Sequence, residues 1–164
     1  MAPLVPIVIT ILKHQDDYLF IKRRKSPYEG LWSLVGGKID LGEHVKEAAE
    51  REVLEETGTG NLTDYRYRGL VSERLVDDRG SLQAHFLIFV SSAIVSDYHQ
   101  DSREGELRTF TRKDILSSRK DFLPSDWYMF KSFELDNEAG VPYEAELVHD
   151  GAGYHLNYYR KAYD

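Results

Sequence analysis

The sequence contains no cysteine, which excludes a disulfide framework, a zinc–thiolate centre and a thiol nucleophile. It also lacks a long hydrophobic run. The apolar stretch Leu4 to Leu12 is interrupted by Pro6, is far too short to span a bilayer and does not have the layout of a signal peptide. No membrane association is therefore expected, and the expected compartment is the cytoplasm. Basic residues are outnumbered, with 21 Lys and Arg against 28 Asp and Glu for a net charge of -7. That balance argues against non-specific binding to nucleic acid polymers, whose affinity comes from Lys and Arg. A small nucleotide is still compatible, because local cations and a metal suffice for its phosphates. The 6 histidines are scattered without zinc spacing, and no Gly-x-Ser-x-Gly elbow occurs, so metalloprotease and serine hydrolase chemistry have no support.

What is present suits one domain of ordinary size spanning residues 1–164, with 41% apolar content for a proper core. Val5 to Leu12 and Tyr18 to Lys22 are rich in β-branched or aromatic residues and read as a hairpin about His14-Gln15-Asp16-Asp17. Tyr65 to Leu75 and Ser81 to Ser91 read as two further strands joined at Asp77-Asp78-Arg79-Gly80. Leu107 to Thr111 is a shorter strand, Ser125 to Leu135 a second helix, and Tyr143 to Val148 with Tyr154 to Tyr159 a closing hairpin about Asp150-Gly151-Ala152-Gly153. The pattern predicts an α/β protein with a mixed sheet and helices packed on it.

The densest information lies in Gly36 to Gly58. His44 to Thr57 has no Gly or Pro, is rich in Ala, Glu, Lys and Leu, and precedes Gly58, a usual left-handed cap, so it reads as a helix. His44 is a poor N-cap, although Glu47 stands in capping-box position. At about 100° per residue, Glu52 and Glu56 lie about 40° apart and Glu55 about 60° from Glu52. Like charges gathered in one turn repel, so a cation is expected among them. Oxygen-only ligands select a hard ion, Mg²⁺ or Mn²⁺, and Mg²⁺ binds through a few carboxylates plus substrate phosphates. Glu-rich helices are more often solvated faces, and these acids alone would not decide between the two readings.

The spacing decides it. Gly37, then Glu43, then Arg51-Glu52-Val53-Leu54-Glu55-Glu56-Thr57-Gly58 resembles the Nudix box, GX5EX7REUXEEXGU, with Thr59 in place of the last aliphatic residue. Such a match at a given start arises by chance less than about once in ten million. The resemblance implies the Nudix α/β/α sandwich fold with a central mixed sheet, and Mg²⁺-dependent hydrolysis of a phosphoanhydride. It implies the metal ligands Glu52, Glu55, Glu56 and the Gly36 carbonyl, and a structural salt bridge between Glu43 and Arg51. It further implies that Arg23 and Arg24 reach substrate phosphates. The catalytic base is expected from Glu104 or Glu106, just before or within Glu106-Leu107-Arg108-Thr109-Phe110, with Glu52 and Glu55 as the catalytic acids of the box itself. Val35 replaces the proline that family members usually place before Gly36-Gly37.

Substrate identity is the least legible property. Leu123-Pro124-Ser125-Asp126 resembles the segment with which MutT-type enzymes read an oxidised purine, but only Asp126 remains of the expected stacking ring and two acids. Trp32, Trp127 and tyrosines of the last hairpin are alternative stacking groups, though such rings are more often core. No proline stands about sixteen residues past the box, as in ADP-ribose hydrolases, and the NADH and coenzyme A signatures are absent. The expected function is hydrolysis of a nucleoside triphosphate to the monophosphate and pyrophosphate. A Nudix enzyme for ADP-ribose, a nucleotide sugar or a dinucleoside polyphosphate is the alternative, followed by a non-catalytic binding module. Neither the oligomeric state nor the number of metal ions can be read from these residues.

Overall fold

The structure is a computed structural model that describes residues 1–24, 28–102 and 104–163. The first hairpin pairs β1 (Leu4–His14) with β2 (Asp17–Arg23). Its turn is tighter than the sequence suggests, because Gln15 adopts φ 55 and lets the strands run to His14 and Asp17. Two short strands follow, β3 (Trp32–Ser33) and β4 (Val35–Lys38), then helix α1 (Val45–Thr57). The long pair β5 (Leu62–Asp77) and β6 (Leu82–Val95) comes next, joined by the expected turn, in which the Gly80 N–H donates to Asp77 O. Then come β7 (Gly105–Phe110), α2 (Arg112–Ser117) and α3 (Pro124–Met129), which continues as a π-helical turn through Phe130–Leu135. The chain closes on β8 (Tyr143–His149) and β9 (Tyr154–Lys161). Helix α2 and strands β3 and β4 are short elements that hydrophobic periodicity does not reveal; pairing and packing with distant segments create them.

All strands join one mixed sheet in the order β3-β2-β1-β6-β5-β8-β9, with β4 added to β1 and β7 to β2. The pairs β1–β6 and β5–β8 are parallel and the others antiparallel. Strand β1 is buried on both faces, which is why Ile7 to Leu12 reads as a nearly continuous apolar run rather than an alternation. Val8 packs with Ala48 and Ala49 of α1. Ile9 and Ile11 point the other way, toward Trp127, Met129, Phe130 and Phe133 of the second helical layer. The result is helix, sheet, helix, the three-layer arrangement expected from the sequence. Thr59, standing where the box pattern has an aliphatic residue, is buried all the same. No helix among the described residues is long and apolar enough to cross a membrane.

Candidate metal and active site

The site begins with a close approach of backbone to helix. A Cβ at Gly36 would lie 2.0 Å from the Val8 carbonyl oxygen, and one at Gly37 would lie 2.4 Å from the Glu52 carboxyl carbon. At Gly36 the obstacle is β1 backbone, so only glycine fits there, whereas at Gly37 a side chain would displace the Glu52 carboxylate that lies against the β4 backbone. The Gly36 N–H donates to Glu56 Oε2 at 3.3 Å. Glu56 is 5% exposed. Burial, then the neighbouring charge of Glu52, push its carboxyl up to about 8, with Gly36 and Arg23 opposing and Glu104 adding to the shift. Burial also raises Glu52, against the pull of Arg51.

Arg51 organises the rest. Its Nε and Nη2 donate to Glu43 at 2.7 and 2.9 Å, its Nη2 also to Lys38 O at 2.9 Å, and its Nη1 to Glu52 Oε1 at 2.9 Å. The fork on Glu43 holds that carboxyl down at about 2 and ties the glycine loop to the helix. Glu55 is the most exposed of the three box acids; it shares Arg51 Nη1 with Glu52, and its charge acts on Glu52. Its side chain is 53% exposed and turned toward Arg51 Nη1 at 3.4 Å. At the N-terminus of α1 Glu47 accepts from the His44 N–H, and at its C-terminus the Gly58 N–H closes the helix on Leu54 O with φ 79. The last turn carries these acids and no basic residue, an arrangement that also opposes the helix dipole.

The other candidates separate clearly. Glu104 is exposed and its charge acts on Glu56, whereas Glu106 is exposed on β7 opposite Lys22. Arg23 stands between two acidic centres, since its charge acts on both Glu56 and Asp126, and its Nε is buried with no hydrogen-bond partner among the described residues. Arg24 instead forms an ion pair with Asp101 and donates to Ser102 O at 2.7 Å. Asp126 is 3% exposed and accepts the Leu34 N–H at 2.8 Å. Trp32 and Trp127 are core residues, Trp127 donating to Ile115 O, whereas Tyr154 of the last hairpin lines a cleft of about 810 Å³ together with Tyr28, Leu31, Phe122 and Pro124. None of the box carboxylates lines that cleft.

Sequence reading overlooked Glu73, which is 4% exposed and raised by burial and by the charge of Asp126, against a hydrogen bond with Ser125. The signal was there: Val71, Glu73 and Leu75 alternate on the inner face of β5, so a carboxylate occupies a position patterned for an apolar residue.

Among the described residues no three His, Asp or Glu side chains form a ready-made metal cage. The donor set nevertheless fits a hard cation. Glu52 and Glu56 are oxygen ligands forced together beside a peptide, and each raises the cost of charging the other.

Residues 3–133 match the NUDIX domain family model. Among curated proteins, a putative 8-oxo-dGTP diphosphatase of Bacillus subtilis is 46% identical over 50 residues, covering 30% of this chain and 32% of that protein. An ADP-ribose pyrophosphatase of Methanocaldococcus jannaschii is 44% identical over 48 residues, 29% of this chain and 28% of that one. The chain thus spans about a third or less of the length of these relatives. A crystal structure of a mutator MutT protein from Bacillus halodurans superimposes with TM-score 0.77 at 22% identity over 98% of this chain and 99% of that one, a likeness of fold.

Proposed function

Because the chain belongs to the Nudix family, we propose that it is a divalent-metal-dependent hydrolase that converts a nucleoside triphosphate to the monophosphate and pyrophosphate. The observation that carries this reading is the placement of Glu52 and Glu56 against the Gly36-Gly37 backbone. Glu52, Glu56 and the Gly36 carbonyl are the groups that would hold Mg²⁺ or Mn²⁺, with Glu55 at the outer edge. The ion, once bound, supplies Lewis acidity at the phosphoanhydride.

The chain's own residues supply the rest. Arg23, partly buried and facing both acidic centres, holds a phosphate between the metal side and the Asp126 side. Glu104, at the mouth of the site and within reach of Glu56 electrostatically, is the better placed base to take a proton from the attacking water. Arg51 keeps Glu52 oriented and fixes the loop through Glu43.

The test is a panel of triphosphates and diphosphate-linked nucleotides assayed with Mg²⁺ and with excess chelator. Pyrophosphate release from triphosphates that stops in chelator is the expected result; turnover unaffected by chelator would remove the metal from the mechanism. The 48-residue match to an ADP-ribose pyrophosphatase favours a diphosphate-linked substrate as the second reading, and monophosphate release from such compounds alone would establish it.

A further inference from the structure

Most arginines of this acidic chain are taken by carboxylates: Arg24, Arg51, Arg66, Arg68, Arg74 and Arg160 each form an ion pair. Arg119 and Lys120, on the 3-10 turn Arg119–Asp121, form none among the described residues, and both line the large cleft. Glu29 is the one acid among the residues lining it. A protein of net charge -7 thus gathers uncompensated positive charge at a cavity. Arg119 is also held in place. Its guanidinium lies 5.6 Å from the Trp127 ring centroid and 5.8 Å from that of Tyr128, and its Nη1 donates to Tyr128 Oη at 3.2 Å. A fork anchored on rings at one side presents its remaining N–H groups with less rotamer freedom to lose on meeting an anion.

Three segments enclose this cleft, and one of them is built on Arg23. The Gly30 N–H donates to Arg23 O at 2.8 Å and the Arg23 N–H to Leu31 O at 3.3 Å. The segment after Arg119 lies beside the same loop, since the Leu123 N–H donates to Trp32 O at 2.9 Å. The β8–β9 hairpin meets the loop where the Tyr28 N–H donates to Tyr154 Oη at 3.3 Å and the two rings pack 4.9 Å apart. Arg23 in turn acts on Glu56, so the cleft and the metal carboxylates share a neighbour while no box carboxylate lines the cleft. A volume of about 810 Å³ lies in the range of whole ligand sites, about 300–1,000 Å³, and its tyrosines suit a nucleoside. Arg23 serves the phosphates at the metal carboxylates; the charges of Arg119 and Lys120 belong to another part of the ligand.

We propose that Arg119 and Lys120 form a second anion subsite, which binds a phosphate monoester carried on the ribose of the nucleotide whose phosphoanhydride lies at Glu52 and Glu56. The substrate class is then a nucleotide phosphorylated at the 2′ or 3′ oxygen as well as on its scissile chain. A base or an unmodified ribose is neutral and makes no use of two uncompensated cations. A phosphate monoester is a dianion with three acceptor oxygens, and it matches a planar guanidinium fork beside a mobile ammonium: two N–H groups of Arg119 chelate it and Lys120 neutralises the second charge. Lys120 is exposed and reaches the anion from the solvent side, whereas the ring contacts of Arg119 fix where the anion sits.

This inference rests on the reading of the chain as a nucleotide hydrolase, so its test measures binding apart from turnover. Calorimetry in Mg²⁺ compares AMP with adenosine 2′,5′-bisphosphate and adenosine 3′,5′-bisphosphate for the native protein and the Arg119→Gln, Arg119→Lys and Lys120→Gln variants. Native protein should bind one of the bisphosphates about tenfold or more tighter than AMP. Arg119→Gln should remove most of that advantage with AMP affinity unchanged, and Arg119→Lys, which keeps the charge but not the fork, should retain part of it. Should Arg119→Gln fail to fold for want of its ring contacts, Lys120→Gln decides, because its side chain is exposed and its loss should reduce the advantage by about threefold or more. Neither bisphosphate tighter than AMP in the native protein, an advantage undiminished in the variants, or equal weakening of AMP and bisphosphate would overturn the subsite. A bisphosphate preference that the variants lose, in a protein that turns over no nucleoside polyphosphate, would instead leave the subsite in place and overturn the hydrolase reading.

Discussion

At the scale of single residues, Glu52 and Glu56 are the groups whose chemistry cannot be shared out to neighbours. Glu56 accepts from the Gly36 N–H and Glu52 from Arg51, donors that cannot replace a carboxylate as a metal ligand. Glu52→Gln or Glu56→Gln should abolish most of the activity, measured as pyrophosphate release in saturating Mg²⁺, while circular dichroism shows the fold retained. The exposed acids differ by position. Glu104→Gln should lower turnover by about 10²- to 10⁴-fold with little change in substrate binding, as for removal of a base. Glu106→Gln, opposite Lys22 on β7, should turn over near the native rate. Near-normal kcat in both variants would move the proton-accepting role to Glu55.

Elements carry the energetic cost of holding those residues. Helix α1 ends in Glu52, Glu55 and Glu56 with no basic residue in its last turn, so a cation bound there relieves both mutual repulsion and the unfavourable dipole. Millimolar Mg²⁺ should raise the melting temperature by an amount set by its concentration over the dissociation constant, and less in Glu56→Gln. Equal shifts in the two proteins would place the ion elsewhere. Strand β5 carries a second cost, the Glu73 carboxyl. Its folded-state value is raised to about 8 by burial, so the folded protein holds a proton that the unfolded chain releases from about pH 4.5 upward. Stability from this group is therefore fully present at low pH and is lost as pH rises through about 8. The melting temperature of Glu73→Leu relative to native should climb between pH 5 and pH 8.5, and a pH-independent difference would mean that Glu73 is charged throughout.

For the whole molecule, the question is which base the cleft accepts. The segment Leu123-Pro124-Ser125-Asp126 lacks a stacking tryptophan, and the two tryptophans of the chain, Trp32 and Trp127, are consumed by the core. Of the segment's expected base-reading groups only the acid Asp126 remains, and it is buried and held by the Leu34 N–H. Discrimination between 8-oxo-dGTP and dGTP should accordingly be modest, and a kcat/KM ratio of about a thousandfold or more, some 4 kcal/mol, would show that other groups read the C8 side.

Box spacing, strand patterning and the three-layer fold were legible in the chain because they depend on local periodicity. Helix α1 follows from its composition and the Gly58 cap, β1 and β2 from β-branched runs, and the glycines from a backbone that must touch a helix. Long-range contacts decided the rest. Arg51 gathers Glu43, Glu52 and Glu55 on one guanidinium, with Glu55 the most exposed of them and Glu56 buried on the Gly36 side. Arg24 was claimed by Asp101, a partner 77 residues away, which leaves Arg23 alone facing both acidic centres. Glu73 and Asp126 lie 53 positions apart by their numbers, and only the tertiary fold lets the charge of one act on the other. A sequence determines which side chains a strand or helix turns to one face; which other element lies against that face, and hence which charges become neighbours in low dielectric, is set only when the sheet and both helical layers close around it.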